Sequence, residues 1–481
     1  MKKTRKIKFP FLTAIIPFII MIGAMIFTVV QLQADPHVPL IVGTIAASFI
    51  AWRKGIKWKE IEEAVYQGIK LALPAILIIL MIGLIIGSWI GGGVVATMVY
   101  YGLQILSPSY FLVSIALICG VITLAIGSSW STMGTLGVAG MGIGMSMGIP
   151  APLIAGAIIS GAYFGDKLSP LSDTTNLAAG IAGTELFDHI KHMLITTVPG
   201  YVIALIVFFF LGRSYGQGDV NSQNISEMLA ILNQEFVVTP WLLVVPAAVI
   251  LLVAKKVPAL PALTVGVLLG FLAHVFVQGG SMSGAVNTLF GGYSLSSGNE
   301  LVDDLFTRGG IESMMYTVSL VLVAMAFGGV VEQTGMLKSI VDQILKFAKT
   351  PRSLVTTTVG SSFFTNVAAA EQYMSVILPG RMYANAYREQ NLDARNLSRA
   401  VEDGGTITSV FVPWNTCAVF ILATLNVNPL EYAPYAIFNY TVPLLAIIFA
   451  QLGIGIVSSS KSTQSSGNHL RKTQSETVKE G

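Results

Sequence analysis

The sequence predicts an all-α polytopic membrane protein built from two inverted-topology repeats with re-entrant hairpins and broken helices. Three observations predict it. First, 53% of the 481 residues are hydrophobic and 11% are charged, against about 25% charged in a soluble chain. Second, the apolar residues fall in blocks long enough to cross a bilayer. Third, the blocks are interrupted by 48 glycines and 20 prolines, residues that allow close helix packing and breaks inside membranes. The same arithmetic excludes a disulfide scaffold, since the only cysteines, Cys119 and Cys417, sit in apolar stretches. A nucleic-acid binder is also excluded, because the basic residues cluster at chain ends and loops rather than on a face.

Each segment follows in order. Lys2, Lys3, Arg5, Lys6 and Lys8 precede an apolar run from Phe9 to Val30, too long for a signal peptide and read as a first spanning helix. Further apolar blocks cover roughly 38–52, 71–90, 94–106, 111–127, 132–165, 193–212, 236–254, 258–278, 313–331, 354–380, 405–425 and 434–457. The positive-inside rule orients them. Arg53, Lys54, Lys57 and Lys59 mark a cytoplasmic loop, as do Lys255 with Lys256, the Lys338–Arg352 group, and Arg381, Arg388, Arg395 and Arg399. Loops 213–235 and 279–311 carry Asp219, Glu227, Glu235, Glu300, Asp303 and Asp304 and read as external. Both termini are then cytoplasmic.

Segment 354–380 is basic on both flanks, so it must enter the membrane and turn back. Gly360-Ser361-Ser362-Phe363-Phe364-Thr365-Asn366 has the composition of its tip, and Gly127-Ser128-Ser129-Trp130-Ser131-Thr132 echoes it. A second polar break follows each: Pro170–Thr174 in one half, Pro413–Thr416 in the other. The expected organisation is N-terminal helices over 1–69, repeat one over 70–212, linking helices and external loops over 213–310, an inverted repeat two over 311–458, and a disordered tail over 459–481. Inverted halves are a plan of secondary transporters.

The chemistry concentrates at the breaks. Asp166, Ser169, Asp173, Thr174 and Asn176 lie in one polar stretch between apolar runs, and a carboxylate there costs about 2.5–3.5 kcal/mol on insertion scales. Hydroxyl and amide oxygens with one carboxylate make a hard site for a small cation. Asp166 is the candidate proton carrier, with Lys167 tuning it; a capped polar loop at the membrane edge is the alternative. In the second half the candidates are Thr365, Asn366 and Glu371 of the hairpin, and Asn415 and Thr416 of the break. Glu371 reads either as a buried acid or as a structural partner of Arg381. Glu402 and Asp403 follow Arg399 and read either as functional or as a solvated pair. Gly144-Met145-Ser146-Met147-Gly148 matches a nucleophile elbow formally, but it continues a Gly140, Gly144, Gly148 packing series. Neither a His-Glu-x-x-His nor a Walker A motif occurs, so the expectation is a protein that is not an enzyme and needs no cofactor.

Gly161 to Ala178, containing Gly165-Asp166-Lys167-Leu168-Ser169-Pro170-Leu171-Ser172-Asp173-Thr174-Thr175-Asn176, resembles the signature of the NhaC family of bacterial Na⁺/H⁺ antiporters. Thr365-Asn366, Glu371-Gln372-Tyr373, Leu378–Met382 and Pro413–Cys417 resemble its second half. The resemblance implies exchange of cytoplasmic Na⁺ for external H⁺ across a bacterial plasma membrane, a moving transport unit and often a homodimer in the lipid bilayer. Asp166 and Asp173 then bind Na⁺ or H⁺ in competition, Thr132, Asn366, Asn415 and Thr416 supply neutral oxygens, Asp403 joins the coupling set, and Asp173, Asn366 and Asn415 hold the Na⁺. The family also contains exchangers of proton-coupled malate for sodium-coupled lactate, the alternative reading, with Arg381 or Lys167 as the carboxylate's partner.

Overall fold

The computed structural model describes residues 9–32, 34–216 and 220–459. The basic cluster Lys2–Lys8, Asp219, and the tail with Lys461, Arg471 and Lys472 and its expected disorder lie outside the described residues.

Among the described residues the elements are helices, with two isolated bridges, Tyr293 to Arg308 and Leu392 to Ser458. α1 (Phe11–Met25) runs on through a π-turn, and α2 (His37–Arg53) packs back on it. α3 (Trp58–Gly91) is 34 residues long, about 50 Å at 1.5 Å per residue. It begins well before its apolar block because Glu60 accepts a bond from the Lys57 backbone N–H at 3.2 Å, capping the first turn. Then come α4 (Val94–Ile105), α5 (Phe111–Ile126), the short α6 (Ser129–Thr132), a π-turn and α7 (Val138–Ser146). α8 (Ala151–Leu168) and α9 (Asp173–Ala182) are separated by a four-residue break, and α10 (Leu186–Arg213) closes the first half. Five linking helices follow: α11 (Val220–Glu235), α12 (Val244–Ala254), α13 (Ala259–Phe276), α14 (Met282–Gly291) and α15 (Glu300–Phe306). The segments read as external loops therefore carry helices of their own.

In the second half the elements after α15 follow a similar order. α16 (Gly310–Gln333) is a long span and α17 (Met336–Leu345) a short amphipathic arm. α18 (Pro351–Ala369) and α19 (Gln372–Glu389) make a hairpin; α20 (Ala394–Val401) runs into a π-turn, Glu402–Thr406; α21 (Thr416–Leu425), α22 (Pro429–Tyr432) and α23 (Ile437–Leu452) finish it. Among the described residues, six helices are long and apolar enough to cross a membrane, or nine spans if each of three bent pairs counts as one. One bent pair, kinked by 46°, is the broken helix formed by α20 and α21.

The hairpin is directly visible in its rungs. Gln390 Nε2 donates to the Ala348 carbonyl at 3.2 Å, Thr358 Oγ1 lies 3.1 Å from Tyr387 OH, and Ser361 Oγ lies 2.7 Å from Tyr383 OH. The chain therefore leaves and returns on one side. Its tip differs from the expectation. Gly360–Asn366 lies inside α18, and the turn is made by Ala370 at φ 57° followed by Glu371, whose side chain caps α19. In the first half Gly127, at φ 79°, and Ser128, which caps α6, stand in that place. A side chain at Gly127 would also meet the Leu171 backbone at 2.6 Å, so glycine is required there on both counts.

Two contacts between helices organise the bundle. α3 and α16 run antiparallel, pressed together where Gly68 meets Gly329 and where Gly83 meets Gly310. α5 packs on α8 where Gly161 and Gly165 approach the Ala116 and Gly120 carbonyls. Ser146 bonds to the Gly142 carbonyl inside α7, and Gly144 is packed by Ile154 and Phe111, so the Gly-x-Ser-x-Gly match is helix packing.

Candidate functional site

Both breaks form for local reasons. Pro170 cannot continue α8, Ser172 caps α9, and Asn176 Nδ2 donates to the Pro170 and Ser172 carbonyls at 2.9 and 2.6 Å. Ser169 is buried and accepts the Leu171 N–H at 3.2 Å. In the second half Asn415 caps α21, Thr416 N donates to the Ala370 carbonyl at 3.0 Å, and Trp414 Nε1 to the Val367 carbonyl at 2.8 Å. The second break is thereby pinned to the tip of its own hairpin.

The tips and the first break meet around a cavity of about 470 Å³. Its wall includes Ser129, Asp166, Asp173, Thr174, Glu371 and Lys256. Asp166 is 4% exposed; its Oδ2 accepts the Ser129 backbone N–H at 3.2 Å and the Ser129 hydroxyl at 2.5 Å, while Oδ1 has no partner. Asp173 is exposed and accepts the Tyr373 hydroxyl, a bond from the second tip to the first break. Glu371 is buried and accepts the Met374 N–H at 3.0 Å. Arg381 is exposed, and no ion pair joins it to Glu371 among the described residues.

Behind the cavity lies a buried ionic cluster. Lys167 Nζ is 2.6 Å from Asp403 Oδ1, both fully buried. Arg399 Nε stands 3.9 Å from Asp403 Oδ2, and Thr196 Oγ1 donates to the same carboxylate at 3.1–3.2 Å. His192 lies 3.3 Å from Arg399 Nη1. Glu402 is also fully buried, so the solvated reading of Glu402 and Asp403 is corrected: Lys167, from the other half of the chain, pairs with Asp403 and offsets its burial.

Asp166, Asp173, Thr174 and Glu371 therefore come together. Other candidates serve the frame. Thr132 Oγ1 accepts from Thr123 Oγ1 at 2.7 Å and staples the first tip. Thr365 Oγ1 bonds to the Ser361 carbonyl within α18. Asn366 donates to the Gly405 carbonyl at 2.6 Å, and Asn415 Nδ2 donates to Asn366 Oδ1 at 3.1 Å. The two asparagines are thus each other's partners, and among the described residues Asp173 shares no hydrogen bond with either. The expected Na⁺ set of Asp173, Asn366 and Asn415 is split accordingly. Thr416 Oγ1 is buried without a partner. Sequence reasoning missed Ser129, Tyr373 and Lys256 as cavity residues. Ser129 was marked only by its place in the Gly-Ser-Ser motif, and Lys256 by nothing but loop charge.

The profile of the Na⁺/H⁺ antiporter family matches residues 161–454. The chain is 39% identical to the Na⁺/H⁺ antiporter NhaC of Alkalihalophilus pseudofirmus over 91% of its length and 94% of that protein. It is 36% identical to the Na⁺/H⁺ antiporter NhaC of Bacillus subtilis, covering 93% and 99%. It is also 36% identical to the malate-2H⁺/Na⁺-lactate antiporter of Bacillus subtilis, covering 92% and 95%.

Proposed function

We propose that this multi-pass membrane protein, which belongs to the Na⁺/H⁺ antiporter family, exchanges cytoplasmic Na⁺ for external H⁺. One observation carries the reading. The buried charged side chains among the described residues are four carboxylates (Asp166, Glu371, Glu402, Asp403) against two cations (Lys167, Arg399), and two of the four carboxylates line the cavity. Uncompensated carboxylates in a low-dielectric interior are each costly by several kcal/mol. They bind cations, either protons or a small metal ion.

Asp166 is suited to the exchange. The Ser129 N–H and hydroxyl fix one of its oxygens and leave the other free. A proton on that oxygen removes the charge that Na⁺ needs, so loading one ion unloads the other. Asp173 and Thr174 add oxygens to the same lining. The parallel order of elements in the two halves and the antiparallel meeting of α3 with α16 support an inverted repeat spanning about 70–212 and 311–458. The basic loops support cytoplasmic termini. Asp166→Asn is expected to abolish Na⁺-dependent proton movement in everted vesicles while the protein stays in the membrane; normal flux would remove Asp166 from the mechanism.

The cavity also admits a second reading, exchange of an organic anion, because Lys256 lines it. Lys167 is committed to Asp403 and Arg381 lies outside the lining, so neither fills the anion-binding role. Proteoliposomes assayed with and without malate and lactate separate the two: Na⁺ and H⁺ alone suffice for cation exchange.

A further inference from the structure

Glu402 and Asp403 are neighbours in sequence, yet their surroundings differ. Asp403 takes every cationic contact: the Lys167 ammonium at 2.6 Å, the Arg399 guanidinium at 3.9 Å, and the Thr196 hydroxyl besides. Glu402 is in no ion pair among the described residues, although Lys167 is near enough to act on its charge. Its Oε1 accepts the Thr174 hydroxyl at 3.3 Å, and its Oε2 has no partner although the residue is fully buried. The chain of oxygens continues. Thr174 Oγ1 lies 3.1 Å from Ser172 Oγ, and Ser172 stands beside Asp166, whose Oδ1 is likewise unpartnered. Two carboxylates from opposite halves therefore bracket two hydroxyls, each with one oxygen engaged by the protein and one free. The buried Thr406 hydroxyl faces the Glu402 carboxylate and is a third oxygen beside it. Buried carboxylate oxygens do not stay unpaired without cost, and a hard-oxygen set of this kind suits a small cation.

We propose that Glu402 is the second half's cation ligand: with Asp166 and the hydroxyls of Ser172 and Thr174 it holds the transported Na⁺, while Asp403 only neutralises Lys167 and Arg399. Glu402 and Asp403 open the π-turn and, as consecutive residues of a helical segment, face different neighbours. The inference rests on the antiport reading for its cargo, but its site is read separately.

The test uses the purified full chain at one fixed pH. In proteoliposomes Glu402→Gln is expected to raise the KM for Na⁺ about tenfold or more, the scale for losing a charged contact. In detergent the same variant is expected to lose the rise in unfolding temperature that Na⁺ gives the parent, without falling below the parent in choline buffer. A KM within twofold of the parent, or a variant that is destabilised equally in both buffers with its Na⁺ response intact, overturns the proposal. If the glutamine variant does not accumulate, Glu402→Asp keeps the charge and withdraws it by one methylene. A raised KM then supports the site and an unchanged one overturns it. The unmodified protein distinguishes the two levels: a Na⁺-induced stabilisation without Na⁺-driven proton movement defeats the exchange reading alone, and no stabilisation by Na⁺ defeats the site.

Discussion

Removing the Asp403 carboxylate should cost more stability than removing the Lys167 ammonium, although the two are partners. In Asp403→Asn, Lys167 and Arg399 are left as two fully buried cations, with Glu402 the nearest remaining acid in the cluster. Breaking a buried pair from one side costs about 3–5 kcal/mol. In Lys167→Met, Asp403 keeps Arg399 at 3.9 Å and the Thr196 hydroxyl at 3.1–3.2 Å, so the loss is that of one charged contact, about 1–3 kcal/mol. The difference, about 2 kcal/mol, is a factor of about 30 in the unfolding equilibrium. The double variant Lys167→Met/Asp403→Leu leaves one buried charge of each sign within the cluster, Arg399 and Glu402, and should recover most of the loss. Unfolding in a single detergent at one pH, followed by tryptophan fluorescence and size-exclusion profile, measures all three. Equal stability of the two single variants, or a double variant no better than Asp403→Asn, would refute the charge accounting.

Other outcomes follow from the same contacts. Gly165→Ala puts a methyl 2.3 Å from the Gly120 carbonyl and should cost about 1–3 kcal/mol. Gly360→Ala, with nothing within 4 Å and a helical position, should gain about 0.5–1 kcal/mol; matched thermal scans compare them. Cysteines at Lys349 and Gln390 should react with an impermeant maleimide from the same face of the membrane, and reaction from opposite faces would contradict the hairpin. Ser297 donates its backbone N–H and hydroxyl to Asp303 and holds that carboxyl below the usual range. A depressed carboxylate stabilises above its unfolded pKa and loses that contribution as pH falls through the folded one. Amide exchange in 295–307 should therefore quicken, beyond the intrinsic rate, on acidification below the ordinary carboxylate range.

Much of this architecture was legible because membranes punish exceptions. Polar breaks at Pro170 and Pro413 stood out against apolar neighbours, and basic residues on both flanks of one segment required a hairpin. The tip was misread because glycine and serine look like a turn. Inside α18 the hydroxyls of Thr357, Thr358 and Thr365 bond to carbonyls one turn back, and Tyr383 and Tyr387 meet Ser361 and Thr358 across the hairpin, so polar composition is compatible with a helix. The real turn uses an alanine, which carries no sequence mark. Asn366 and Asn415 looked like ligands because amides in apolar stretches need partners, and no local pattern reveals that the partner is another amide. The burial of Asp403 depends on Lys167, and that of Glu402 is shared with Thr174, both from the other half of the chain.

The glycine contacts of α3 with α16 carry a mechanical consequence. Gly68 and Gly83 lie fifteen positions apart on one rod, about 22 Å of rise, and each abuts main chain of the other rod, with the Met314 side chain also packed at Gly83. Two rods welded at separate points can neither pivot nor slip lengthwise without main chain colliding with main chain. Any rearrangement that moves cargo across the bilayer is expected to leave this beam intact.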